Sequence, residues 1–203
     1  MASIEDEYAA RYALLAVVAE ELRADIAELV QGMTDRIDQI TARAKAPHDF
    51  IEKAERVTEC TGEKKYPYPL EDIEDQVGVR IVVLYKDDAK KVRDLILIEY
   101  NEIEDTERRP TEPDQFSYEA RHIICMIPPD IREKHSLPID KFELQVATLF
   151  QHAWAESNHD LGYKGTLSYP EKRLLGLAAA QAWGADWIFD RLSTHDLPVI
   201  EDT

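Results

Sequence analysis

FELQVATLFQHAWAESNHDLGYK, residues 142–164, changes character part-way along. Its first residues close a short strand-like run, Pro138 to Val146, in which Glu143 sits between apolar neighbours. Glu143 and Gln145 fall on one face of that strand by its period of two. A helix follows at once and carries His152, Trp154, Glu156 and His159 at helical spacing. A carboxylate so placed can accept a proton from an attacking hydroxyl, and Gln145 can orient a substrate.

The second informative stretch is EDQVGVRIVVLY, Glu74 to Tyr85. Gly78 to Leu84 is a β-branched run of the buried-strand type. Asp75 stands ahead of it in a D-x-x-G-x-R pattern. An aspartate at a strand mouth can hold Mg²⁺ through one oxygen while phosphate and water complete the shell. Gly78 permits close approach of a ligand. Arg80 is a charge in an apolar strand and needs a partner. Equally, the pattern reads as a helix-to-strand turn with a structural salt bridge.

Working outward, residues 7–31 read as an amphipathic helix with Leu15, Val18, Leu22, Ile26 and Leu29 on one face. A second helix is expected over 34–44 and a third over 48–60, separated by Pro47. Residues 62–69 are a loop, 87–98 helical, 99–105 a strand and 106–115 an acidic loop. Strands are expected at 120–127 and 138–146, and helices from 148 to 161 and from 170 to 191. Strands alternating with helices between helical flanks imply an α+β or α/β core.

With 203 residues the chain fits one domain with helical extensions. The formal net charge of −17 disfavours a protein that coats nucleic acid, because phosphate binding needs Lys and Arg, but it leaves room for a local basic pocket. Two cysteines, Cys60 and Cys125, make no metal or disulfide framework. The apolar run from Leu174 to Trp183 is broken by glycine and glutamine, so no membrane span is expected. The acidic start is unlike a signal peptide, and a reduced, cytoplasmic protein is the expectation.

Three further groups stand out. Arg43, Lys45 and Lys53, on a broken helix, can converge on a polyphosphate or simply be solvated. Tyr118 follows the acidic loop, placed to stack on a base or to sit at a strand edge, and His122 shares its face. His152, Glu156 and His159 suggest a metal site. However, a di-iron bundle needs a second Glu-x-x-His copy, and none is present.

Taken in order, these segments resemble the synthetase domain of the RelA/SpoT family, which makes the alarmones ppGpp and pppGpp. The resemblance covers about Ile40 to Lys164 and divides the chain into an N-terminal helical extension (1–39), a synthetase-like domain (40–165) and a C-terminal helix and tail (166–203). It implies an α+β fold, a mixed sheet flanked by helices and related to nucleotidyltransferases. The implied reaction moves the β,γ-pyrophosphate of ATP onto the 3′-hydroxyl of GDP or GTP. Arg43, Lys45, Lys53 and Arg80 would then bind ATP. Tyr118, His122, Gln145 and His152 would bind the guanine nucleotide. Asp75 and Glu143 would be catalytic and would hold Mg²⁺, with Glu143 also the base.

The chain departs from the family pattern at Ser117 and Ala120 in the guanine loop and at Ala147, where arginine is usual. Asp49 stands where a serine is usual, a negative charge expected to weaken ATP binding. Three readings result. One is a small alarmone synthetase, for which the length leaves no room for hydrolase or regulatory regions, with homo-oligomers common in the class. The second is a toxin-like relative acting on tRNA 3′ ends or adenosine nucleotides, with an antitoxin partner; the acidic charge argues weakly against tRNA. The third is a degenerate domain that binds nucleotide or a partner without chemistry.

Overall fold

The computed structural model describes residues 3–58, 60–106, 120–163 and 167–195. The chain opens with helix α1 (Ile4–Leu29). Its first turn is closed by a capping box in which Ser3 Oγ accepts from the Asp6 backbone N–H at 3.1 Å. Strand β1 (Ile37–Ala44), helix α2 (Pro47–Ala54), the single turn α3 (Pro69–Asp72) and a 3₁₀ turn at Glu74–Gln76 lead into β2 (Val77–Val83). Then follow α4 (Lys86–Glu99), β3 (Glu102–Thr106), β4 (Arg121–Met126), α5 (Pro129–His135), β5 (Lys141–Thr148), α6 (Leu149–Tyr163) and α7 (Tyr169–Thr194). The strands form one mixed sheet in the order β1-β2-β5-β4-β3. Only β2 and β5 run parallel; the other neighbours are antiparallel. The expected α+β class, a mixed sheet flanked by helices, is what the chain adopts.

The alternation of side chains along a strand builds both the core and the cleft. Val79, Ile81 and Val83 of β2 and Phe142, Leu144 and Val146 of β5 join one buried cluster. Leu15, Val18, Leu22 and Ile26 of α1 and Val92 and Ile96 of α4 complete it. Intervening residues line the opposite side, where Gly78 and Arg80 pair in register with Glu143 and Gln145. That side is walled by α6, which packs on α7 through Trp154 and Ala179. Asp186 of α7, itself buried, accepts a hydrogen bond from Thr148 Oγ1 at the end of β5 (2.5 Å).

Two elements differ from expectation. Residues 34–44, expected as a helix, form β1 from Ile37 onward. Ile37, Ile40 and Ala44 fit a helical period, but β2 is a buried strand with an open edge, and satisfying its backbone groups prevails. Arg43 therefore stands on a strand, opposite Gly78, and not on a helix. The helix expected to reach Cys60 stops at Ala54, because Val57 bridges to Lys64 and Thr58 N–H donates to Glu63 O (2.8 Å). Gly62, at φ +70°, makes that reversal. Helix α5 was not anticipated; it starts on Pro129 and ends on Ser136 in the left-handed region (φ 49°). Tyr118 and most of the acidic loop lie outside the described residues.

Candidate active site

Residues of β1, β2, β5, the 3₁₀ turn and α6 enclose a cleft of about 250 Å³ lined by Arg43, Lys45, Asp75, Gly78, Arg80, Glu143, Gln145, His152 and Glu156, among others. A second cavity of about 240 Å³ adjoins it, lined in part by Ala120, His122, Ala147, Asn158 and His159. Both share Arg43, Arg80, Gln145, His152 and Glu156.

Asp75 sits in the 3₁₀ turn, which Gln76 ties down by donating through Nε2 to Leu70 O (3.0 Å) and Ile73 O (2.9 Å). Its Oδ2 accepts from Lys45 Nζ at 3.0 Å and meets Lys53 Nζ at 2.8 Å. Burial pushes its carboxyl up, but the two ammonium groups outweigh burial and hold it below the ordinary aspartate value. Oδ1 is buried and has no hydrogen-bond partner among the described residues. A buried carboxylate oxygen left unspent is what a cation ligand requires.

Lys45 is fixed from two sides. Its N–H donates to Gln76 O (2.8 Å), and its carbonyl accepts from Tyr8 Oη (2.8 Å). The Tyr8 ring stacks on Phe50 of α2 with centroids 3.7 Å apart, and burial drives its phenol well above the ordinary value. Sequence reasoning missed Tyr8. The available signal was a tyrosine seven residues before Leu15 on the apolar face, whose hydroxyl needed a partner once buried.

Glu143 Oε1 lies 2.7 Å from His122 Nδ1, and Oε2 accepts from Gln145 Nε2 at 2.6 Å. Burial pushes the Glu143 carboxyl up; the His122 hydrogen bond and charge, with Gln145, bring it below the ordinary glutamate value. Glu143 is thus ionised at neutral pH, so His122 Nδ1 carries the proton and donates. Gln145 passes the chain on, since its Oε1 accepts from Arg80 Nε at 2.9 Å. Arg80 Nη1 donates to His152 Nδ1 (3.3 Å) and to Glu156 Oε1. An arginine can only donate, so the His152 nitrogen facing it is the acceptor.

The residues singled out from sequence therefore meet in one place. Arg43, Lys45, Asp75, Arg80, Glu143, Gln145 and His152 line the cleft, Lys53 reaches it through Asp75, and His122 enters through Glu143. Asp49 lines neither cavity and pairs with His48 at 2.9 Å. No group of three or more His, Cys, Asp or Glu arranged to hold a metal occurs among the described residues. His152 and Glu156 direct their contacts at Arg80. No helix among the described residues is long and apolar enough to cross a membrane.

Fold and cleft together define an α+β domain with two carboxylates set among cations on one side of a mixed sheet. A sequence model of the region found in RelA / SpoT proteins matches residues 42–168, more than half of the chain, and the chain belongs to that family. It is 29% identical over 148 residues to the GTP pyrophosphokinase YjbM of Bacillus subtilis (strain 168). That match covers 71% of this chain and 65% of the relative, so the chain spans just under two thirds of that relative's length. In structure it is similar to the small alarmone synthetase 1 of Bacillus subtilis, with a TM-score of 0.74 at 20% identity, covering 94% of this chain and 97% of the other. The same synthetase bound to its product pppGpp gives a TM-score of 0.69 at 20% identity, covering 94% and 96%.

Proposed function

We propose that this protein is a small alarmone synthetase that transfers the β,γ-pyrophosphate of ATP to the 3′-hydroxyl of GDP or GTP. The carrying observation is Glu143, an ionised carboxylate gripped by His122 and Gln145 in the same cleft as Asp75 and its lysines. The pyrophosphokinase activity in the name of the Bacillus relative and the pppGpp in the solved neighbour support it.

In this reading the 3′-oxygen attacks the β-phosphorus and the bond from that phosphorus to the α,β-bridging oxygen breaks. AMP leaves, and Glu143 takes the hydroxyl proton. Positioning and charge neutralisation supply most of the catalysis. Arg43, Lys45, Lys53 and Arg80 neutralise the donor phosphates. His122 holds Glu143 in its ionised form, and Gln145 couples it to Arg80. Tyr118 and His152 are assigned to the guanine nucleotide. Asp75, through its unspent Oδ1, and Glu143 would hold Mg²⁺, which when bound supplies charge neutralisation at the phosphates. Residues 40–165 are assigned as the catalytic unit, between an N-terminal segment (1–39) that carries α1 and a C-terminal segment (166–203) that carries α7.

The test is a transfer assay with γ-labelled ATP, Mg²⁺ and GDP or GTP, resolved by thin-layer chromatography. Label in ppGpp or pppGpp is the expected result. No transfer from folded protein overturns the reading.

A further inference from the structure

Arg80 stands where the two cavities meet, and its charge is already engaged. Its Nε is used by Gln145, and its Nη1 by His152 and Glu156. The Arg80 side chain is 25% exposed, whereas that of Glu156 is 57% exposed. Glu156 lies one turn beyond His152 on α6, so both reach the same guanidinium from one helix face. The hydrogen bond from Arg80, with the charges of Arg80 and Arg43, outweighs burial and keeps the Glu156 carboxyl below its ordinary value. At neutral pH a fixed negative charge therefore occupies the arginine that faces both cavities.

Carboxylate and phosphate oxygens compete for the same planar guanidinium donors. Arg80 cannot serve a phosphate with Nη1 while Glu156 holds it, and the half-exposed Glu156 side chain has solvent to swing into.

We propose that Glu156 sets the affinity of this site for polyphosphate, as an internal anion that occupies Arg80 until an incoming phosphate chain displaces it. This rests on reading the cleft as a nucleotide-phosphate site. The charge of Glu156 lowers affinity twice, by the contact that must break and by repulsion of the ligand afterwards.

The experiment is calorimetric titration of the full chain with inorganic tripolyphosphate and, separately, with a non-hydrolysable ATP analogue and Mg²⁺. Wild type, Glu156→Gln and Glu156→Asp are compared. Glutamine has nearly the helix propensity of glutamate, so the fold should persist. Glu156→Gln is expected to bind tripolyphosphate about tenfold more tightly, equivalent to about 1.4 kcal/mol. Glu156→Asp, which keeps the charge, should show a smaller gain or none, and the tightening should shrink as salt rises. Unchanged or weaker tripolyphosphate binding in Glu156→Gln, or none to any form, overturns the inference. If the analogue binds wild type and Glu156→Gln equally, the inference falls while the nucleotide reading stands. If tripolyphosphate tightens but the analogue binds no form, the inference stands and the nucleotide reading falls.

Discussion

His122 on β4 and Glu143 on β5 bond diagonally across the sheet. The register sets His122 opposite Gln145 and Glu143 opposite Ile124, yet His122 Nδ1 reaches Glu143 Oε1 at 2.7 Å. Gln145 fills the direct position and grips the other carboxylate oxygen, so the base is held from two strand positions.

Removing the base while keeping its shape is the direct test. Glu143→Gln is expected to lower the transfer rate by about 10²–10⁴-fold, the usual contribution of a positioned general base. Thermal unfolding should stay close to that of wild type, because the amide oxygen still accepts from Gln145 and His122 can change tautomer to accept from the amide nitrogen. A transfer rate unchanged in this variant would remove Glu143 from the chemistry.

The partner residue predicts a pH effect with a definite sign. His122 holds the Glu143 carboxyl down against burial, so replacing it with alanine should let that carboxyl rise. The base works ionised, and activity falls as pH drops through its pKa. His122→Ala should therefore move the acid limb of the kcat profile to higher pH. A limb that stays in place would mean that another group sets it.

Asp75→Asn would leave Lys45 and Lys53 facing each other without their shared anion. A loss of about 2 kcal/mol in chemical denaturation is expected at pH 7, below the range for fully buried pairs. The folded-state carboxyl is depressed, so its contribution is complete above the ordinary aspartate pKa and fades as pH falls through the folded value. The variant should accordingly show a flatter loss of stability in acid, measured by urea titration between neutral and acidic pH.

Tyr8→Phe keeps the stack on Phe50 and removes only the hydroxyl that holds Lys45 O. A cost of about 1 kcal/mol is expected, since one buried carbonyl loses its donor. If Lys45 serves the donor phosphates, the KM for ATP should rise more than kcat falls. A loss of stability with unchanged KM would confine Tyr8 to packing.

Much of this was legible in the chain itself. The period of two placed Glu143 and Gln145 on one face of their strand, GVRIVV read as a buried strand, and Arg80 stood out there as a charge that needs a partner. These patterns involve residues two to four apart, whose directions follow from strand and helix geometry alone. Only the tertiary structure decided that residues from Ile37 to Ala44 form a strand, because a helical and a strand period fit them comparably and the edge of β2 chose between them. It also decided which charge meets which. Lys45 finds Asp75 across 30 residues, and Arg80 finds Glu156 across 76, and local spacing carries no information about such pairings. Hence the residue types of the cleft belong to the sequence, while their division into held, free and opposed charges belongs to the fold.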